Sequence, residues 1–132
     1  PLNTDSTLKG QTVFLAERCG ELMYNNIITD RTVLDVMAFT MNAKSIPHQD
    51  KEAFEVYASE FIREYDYIFY ISPHGLEIED NGVRETDEHY RDLIDFTITT
   101  LIKRHGHKAG AIEKISGSTE ERIQQILNVT KL

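Results

Sequence analysis

The chain of 132 residues lacks the features that mark several common classes of protein. It has one cysteine, Cys19, which excludes an intrachain disulfide and is typical of a reducing compartment. No apolar run approaches the roughly 20 residues that a transmembrane helix needs, and no signal-peptide core is present. The sequence therefore predicts a cytoplasmic protein without a membrane partner.

Basic residues are also scarce. The 14 lysines and arginines are outnumbered by 22 acidic residues, and the formal net charge is −8 at pH 7. Binding to nucleic acid depends mainly on basic residues that release counterions, so no nucleic-acid partner is expected. A local basic pocket for a small phosphate ligand is still allowed. With 40% hydrophobic and 27% charged residues, the composition is typical of one globular domain.

A third absence concerns phosphate binding, because the chain has no Gly-x-x-x-x-Gly-Lys-Ser/Thr loop. It does have an acid–arginine pair, Asp30 and Arg31, between a short apolar run and a helical pattern. Ligands of open α/β sheets collect at the carboxyl ends of strands. There a carboxylate can hold the water shell of Mg²⁺, and an arginine can bind a phosphate through two hydrogen bonds. This pair points to phosphoryl transfer, which depends on positioning and charge neutralisation.

Hydrophobic periodicity predicts alternating helices and strands. Three helices are predicted over 11–24, 33–44 and 50–64. A fourth is predicted from a cap at Thr86 to a stop signal at Gly106, and a fifth after a capping box at 118–121. Strands are predicted over 27–30, 65–71 and 109–115, with a loop over 74–84. Strands that alternate with helices imply parallel βαβ units, and hence an α/β three-layer sandwich with a mainly parallel sheet.

Two side-chain types have plain interpretations. Cys19 lies on the apolar stripe of the first helix with Met23 and is predicted to be a core residue. His105 and His107 have no acidic or cysteine partner at metal-binding spacing, which predicts a solvated helix end rather than a metal site.

Four motifs follow one another between residues 11 and 127. An apolar strand with Asp-Arg-x-x-Leu-Asp spans 27–35, and a second strand spans 65–70. Asn-Gly-Val-Arg at 81–84 precedes a further arginine, and Ser-Gly-Ser opens 116–122. Together they resemble the P-loop kinase superfamily, most closely its AAA-like ATPase branch related to nicotinamide-riboside kinases, with thymidylate-type nucleotide kinases further away.

The resemblance implies roles for three residues around the first motif. Asp30 would hold Mg²⁺ through water or accept a hydroxyl proton, although it could equally cap a helix. Arg31 would bind the phosphate of the substrate or nucleotide, against the alternative of a surface salt bridge. Asp35 would contribute to substrate binding, or would pair with a neighbouring cation.

The resemblance also implies a lid and a nucleotide contact. Arg84 and Arg91 would close over the transferring phosphoryl group and neutralise its oxygens, unless they only balance the acidic residues around them. Ser116, Gly117 and Ser118 would contact an adenine edge through backbone groups, unless they form a plain turn and helix cap.

The implied function of the intact protein is ATP-dependent phosphoryl transfer to a nucleoside, a nucleotide or a similar small metabolite, with ATP and Mg²⁺ as cofactors. In that superfamily a first strand and the phosphate loop precede the helix that begins here near residue 11. The expectation is therefore that 1–10 is a polar lead-in and 11–132 the C-terminal portion of a longer kinase-like domain that lacks its first strand. The alternative is a kinase-like binding or scaffold module without a phosphate loop, and a homo-oligomer is compatible with either.

Overall fold

The computed structural model describes residues 5–73 and 88–132. The helices in these ranges are α1 (Leu8–Glu21), α2 (Val33–Met41), α3 (His48–Ser59), α4 (Glu88–His105) and α5 (Thr119–Thr130). The strands are β1 (Tyr67–Ile71) and β2 (Ala111–Ile115), and short 3₁₀ turns cover Glu60–Glu64 and Gly106–Lys108. The predicted loop over 74–84 and the predicted cap at Thr86 lie outside the described residues. None of the helices described has the length and apolar character needed to cross a bilayer.

The chain order β1, α4, β2 gives the parallel strand pair that the alternation of elements predicts. In register, Tyr67 pairs with Ala111 and Ile71 pairs with Ile115. Gly110 allows the strands to meet at their start, because a Cβ there would lie 2.4 Å from the backbone oxygen of Asp66. The expected α/β class is therefore confirmed at the level of a small parallel sheet with helices around it.

The core is built around α2, which packs against α1, α3 and α4. Val33, Met37 and Ala38 of this helix are fully buried. The residues that surround them come from all the neighbouring elements: Leu15, Phe54, Ala58, Ile62, Ile68 and Leu101. The start of α2, which directly follows Arg31, is therefore held in a fixed position by packing on several sides.

Residues 27–30 do not form the predicted strand. They belong to an irregular connection between α1 and α2, in which the side chain of Ile28 is 96% exposed. No described strand pairs with this segment, since the described sheet contains only β1 and β2. Two isoleucines between polar residues are too short a run to specify a strand, and backbone groups that find no neighbouring strand are left to solvent.

Helix ends also differ from the prediction. The predicted helix over 50–64 is α3 followed by the 3₁₀ turn, so its last turn is wound more tightly. α1 begins at Leu8 and ends at Glu21, so Met23 lies beyond the helix and is exposed rather than on its buried stripe. Cys19 packs against the core while partly buried, as predicted. The strands begin two residues later than predicted, at Tyr67 and Ala111.

Candidate functional site

A cavity of about 340 Å³ lies beside α1 and α2, at the point where the connection 22–32 enters α2. Its lining residues come from three parts of the chain: Ser6 before α1, then Gln11, Phe14, Glu17 and Arg18 on α1, and then Arg31, Asp35, Val36 and Phe39. The cavity therefore brings together Arg31 and Asp35, which the sequence predicts as ligand residues. The carboxylate of Asp30 does not line it.

Arg31 has an unusual backbone and an aromatic partner. Its φ of 79° lies in the left-handed region, and its carbonyl accepts a hydrogen bond of 2.9 Å from the Thr29 hydroxyl. Its guanidinium carbon lies 5.7 Å from the centre of the Phe39 ring, within the range of a cation–π contact. No carboxylate oxygen of the described residues lies within 4.0 Å of this guanidinium. The surface salt bridge that the sequence left open is therefore absent from the described part of the chain.

The side chain of Asp35 caps the start of α2. Its carboxylate accepts a hydrogen bond of 2.8 Å from the Thr32 backbone N–H, and the Thr32 hydroxyl accepts one of 3.0 Å from Leu34 N–H. These bonds form a capping box, which satisfies backbone donors that the helix leaves unpaired. Burial raises the pKa of Asp35, and the Thr32 N–H and the charge of Arg31 oppose this only in part. Its first role is thus structural, although it also faces the cavity.

Gln11 and Phe39 belong to the site, and the sequence reasoning missed both. Gln11 is buried, and its Nε2 donates to the Thr40 hydroxyl at 3.0 Å and to the Val36 carbonyl at 3.4 Å. These bonds tie α1 to α2 across the inner wall of the cavity. The signal in the sequence was a glutamine four residues before Leu15, a polar residue on an apolar helical stripe.

Arg18 of α1 is hydrogen-bonded to the connection 22–32. Its Nη1 donates to the Asp30 carbonyl at 3.0 Å, and its Nε lies 3.1 Å from Glu21 Oε1. The guanidinium of Arg18 is therefore occupied by protein groups on both sides. Of the two arginines that line the cavity, Arg31 is the one whose donors are available to a ligand.

The structure gives Asp30 no partners for a metal centre. Its side chain is exposed, and its backbone oxygen is used by Arg18. Across residues 5–73 and 88–132 there is no group of three His, Cys, Asp or Glu side chains placed to bind one metal ion. A metal at Asp30 would have to obtain its other ligands from water and from a bound phosphate.

Only one of the two predicted lid arginines can be located, because Arg84 lies outside the described residues. Arg91 lies in the first turn of α4, next to Tyr90, whose ring centre is 6.4 Å from that of Phe39. The Nε of Arg91 is buried and has no hydrogen-bond partner among the described residues. A buried donor without an acceptor is costly, which makes Arg91 a second candidate for contact with an anion.

The segment 116–118 forms a turn and a helix cap. The side chain of Gln125 accepts from Ser116 N–H at 3.1 Å and donates to the Ser116 carbonyl at 2.7 Å. Gly117 has a φ of 99°, and Ser118 forms a capping box with Glu121 at the start of α5. The predicted capping box is confirmed. None of these residues lines the cavity beside Arg31, and their contact with adenine stays a prediction.

The prediction of a solvated helix end is wrong for His105, which ends α4 but is largely shielded from solvent, and holds for His107, which is exposed. Its side chain is 13% exposed, and its Nε2 lies 2.7 Å from Glu55 Oε2. The Nη1 of Arg104 contacts the same oxygen at 2.6 Å. The acidic partner comes from α3, fifty residues earlier, and therefore could not be found from local spacing.

Comparison of the chain with family models, with curated proteins and with solved structures gave no match in any of the three.

Proposed function

We propose that the cavity beside Arg31 binds a phosphorylated small molecule, and that the protein carries out ATP-dependent phosphoryl transfer to a nucleoside, a nucleotide or a similar metabolite. The observation that carries this proposal is the arrangement of Arg31, which is held over Phe39 at the cavity without a carboxylate partner among the described residues. The sequence resemblance to P-loop kinases, of which Arg31 is a part, favours the same assignment, although 27–30 does not form the strand that its first motif implies.

The lining of the cavity suits a ligand with an anionic group and a ring. A guanidinium can donate two parallel hydrogen bonds to phosphate, and no carboxylate oxygen of the described residues lies within 4.0 Å of Arg31. Glu17 and Asp35 line the same cavity, and the charge of Arg31 acts on Asp35. Phe14 and Phe39 supply aromatic surface, and the Gln11 amide supplies a polar group on the wall. The volume of about 340 Å³ is at the small end of ligand pockets, which favours a nucleoside monophosphate or a smaller metabolite.

Magnesium would enter this site with the nucleotide. Because the described residues offer no cluster of three ligands, a resident metal centre does not fit them. Asp30 is suited to one water-mediated contact with Mg²⁺ held mainly by phosphate oxygens. Arg91 is proposed to approach the phosphoryl group from α4, together with Arg84. On this proposal the parallel pair β1 and β2 belongs to a three-layer sandwich of the P-loop NTPase type.

Calorimetric titration tests the binding proposal. We expect nucleoside monophosphates to bind the chain, and Arg31→Ala to weaken the binding at least about tenfold, a loss of about 1.4 kcal/mol. Arg63→Ala is the matched control, since Arg63 is exposed and pairs with Glu60 on the 3₁₀ turn after α3. In a phosphoryl-transfer assay of the intact protein, with its phosphate loop, Arg31→Ala should lower turnover by orders of magnitude while leaving the thermal unfolding curve in place.

Equal binding by the wild-type chain and by Arg31→Ala would remove Arg31 from the site. Absence of nucleotide binding by the intact protein would leave the alternative, a kinase-like domain that serves as a binding or scaffold module. One observation favours that alternative: Tyr67 and Ile71 are exposed on β1, beside a strand edge that no described residue pairs.

A further inference from the structure

Tyr65 connects the start of α2 to the two strands. It follows the 3₁₀ turn Glu60–Glu64 and is buried, with 8% of its surface exposed. Its hydroxyl accepts a hydrogen bond of 3.3 Å from the N–H of Val33, the first residue of α2. Its carbonyl accepts one of 3.0 Å from the N–H of Gly110, the residue before β2. One buried residue therefore ties the start of α2 to the place where the parallel strands begin.

The bond to Tyr65 completes the capping of α2. The N–H groups of Leu34 and Asp35 donate to the N-cap residue, at 3.0 and 3.2 Å. The Val33 N–H belongs to the same first turn, where the helix itself offers no carbonyl to accept it, and it is buried. A buried N–H without an acceptor is costly, and the Tyr65 hydroxyl supplies that acceptor. Because these three donors bind protein groups, an anion near this helix start is left to the side chain of Arg31.

Side chains hold the backbone on both sides of Arg31. The carbonyl directly before it, of Asp30, accepts a hydrogen bond from Arg18. The Val33 N–H, two residues after it, donates to Tyr65. Between these bonds Arg31 has its φ of 79°, a conformation that persists only where the surrounding structure holds it. Tyr65 does not line the cavity, so it can influence a ligand there only through the residues that it holds.

The Tyr65 hydroxyl stays neutral in this position. Burial raises the pKa of Tyr65 to about 12; the charge of Glu21 also raises it, while the Val33 N–H and the charge of Arg18 lower it. At neutral pH the hydroxyl therefore keeps its proton, and its oxygen still has a lone pair for the Val33 N–H. Phenylalanine would fill the same space without that acceptor. The effect of the hydroxyl can thus be measured separately from the packing of the ring.

We propose that Tyr65 is a positioning residue for the cavity beside Arg31: its hydroxyl fixes the start of α2 and thereby keeps Arg31 in the backbone conformation in which its side chain lines the cavity. The part of this inference that concerns a bound phosphate rests on the proposed function, whereas the part that concerns the Arg31 backbone does not. Loss of the hydroxyl should release the Val33 N–H, and Arg31 should then relax toward negative φ values, which cost less for an arginine. Its guanidinium would leave the place in which it meets the anionic group of a ligand.

NMR spectroscopy of the free chain tests the backbone part. In the left-handed region the amide proton and the α-proton of one residue lie close together, so their nuclear Overhauser cross-peak is strong. We expect a strong cross-peak for Arg31 in the wild-type chain, and its loss or weakening in Tyr65→Phe. Asn26, with a φ of 55°, is an internal reference and should keep its cross-peak in both proteins, which shows that the variant is folded. Tyr70→Phe is the matched control variant: it removes a hydroxyl that is hydrogen-bonded to Asp95 of α4 rather than to α2, and it should leave the Arg31 cross-peak unchanged.

Calorimetry with a nucleoside monophosphate tests the binding part. Tyr65→Phe should weaken binding about tenfold, and Tyr70→Phe should leave the affinity unchanged. In a chain that already carries Arg31→Ala, adding Tyr65→Phe should change the affinity no further, because the hydroxyl acts through Arg31. A residue that merely stabilised the fold would not give this dependence on Arg31.

An Arg31 cross-peak of equal strength in the wild-type chain and in Tyr65→Phe would overturn the inference, as would the absence of a strong cross-peak from the wild-type chain. A fall in affinity by the same factor with and without the Arg31 side chain would also overturn it. If the wild-type chain binds no nucleotide while Tyr65→Phe loses the cross-peak, the proposed ligand is wrong and the positioning of Arg31 by Tyr65 stands.

Discussion

Arg31 adopts a conformation that an arginine rarely takes. A non-glycine residue in the left-handed region costs about 1–3 kcal/mol, and surrounding structure must hold it there. Here the capping box at Thr32 fixes the start of α2 on one side, and Arg18 holds the Asp30 carbonyl on the other. The guanidinium of the same residue lies 5.7 Å from the centre of the Phe39 ring.

This account predicts opposite effects of one substitution on stability and on binding. Arg31→Gly removes the strained Cβ, so the free energy of unfolding should stay the same or rise by up to about 1 kcal/mol. Nucleotide binding should be lost in the same variant. Denaturant unfolding and calorimetry on the same preparation would check both parts.

Asn26→Gly serves as the control, because Asn26 also has a positive φ, of 55°, but does not line the cavity. It should keep ligand affinity and leave stability unchanged or slightly higher. A fall of more than about 1 kcal/mol in Arg31→Gly would mean that the contact with Phe39, rather than the ligand, explains the strain.

At the scale of elements, Glu55 connects α3 to the end of α4. Its Oε2 lies 2.6 Å from Nη1 of Arg104 and 2.7 Å from Nε2 of His105. Burial by itself raises the pKa of Glu55, but hydrogen bonds from Arg104 and His105, with their charges, outweigh burial and leave the pKa below its ordinary value. A carboxyl with a lowered pKa stabilises the folded state when it is ionised.

The direction of this shift gives a pH dependence. The contribution of Glu55 should be complete above its unfolded pKa of about 4.3, and should disappear as the pH falls through the lower folded value. Glu55→Gln should therefore reduce the free energy of unfolding at neutral pH, by about 1 kcal/mol given the exposure of Arg104. The difference from wild type should narrow as the pH falls from about 5 toward 3.

Glu64→Gln is the matched control for that measurement, since Glu64 is exposed on the neighbouring 3₁₀ turn. Urea unfolding at a series of pH values would compare the three proteins. If the difference in free energy of unfolding between wild type and Glu55→Gln stays constant with pH, Glu55 acts through packing rather than through its charge.

At the scale of the whole molecule, one core holds the helices and the sheet together. Leu101 of α4 is 1% exposed and belongs to the same cluster as Met37 of α2 and Ile68 of β1. Packing of α4 on α2 also joins the wall of the cavity to the parallel strand pair. Loss of this packing should therefore destabilise the site and the sheet together.

Leu101→Ala should lower the free energy of unfolding by about 2–5 kcal/mol, because it removes buried methyl groups and leaves a void. Phe96→Ala on the same helix removes a larger side chain, but one that is 70% exposed, so it should lower the free energy of unfolding much less. Thermal unfolding followed by circular dichroism would compare them. Similar losses in both variants would contradict the position of the core inferred here.

Much of the local structure followed from the sequence. Apolar spacing along the chain predicted α1, α2 and α4, and the Ser118 motif predicted the start of α5, because helix periodicity and caps involve residues within a few positions of one another. The alternation of elements predicted that β1 and β2 would be parallel. Asp30 and Arg31 were proposed as site residues from the end of a strand predicted at 27–30; that strand is absent, and Arg31 lines the cavity whereas Asp30 does not.

The sequence by itself determined the helices, the cap of α5 at Ser118 and the choice of Arg31 as a candidate residue. Only the tertiary structure decided that 27–30 stays outside the sheet, that Gln11 and Phe39 join Arg31 at a cavity, and that His105 meets Glu55. The physical reason is the range of the interactions. Periodicity records contacts within one element, whereas strand pairing, cavity walls and the partner of a buried charge depend on residues that are distant along the chain.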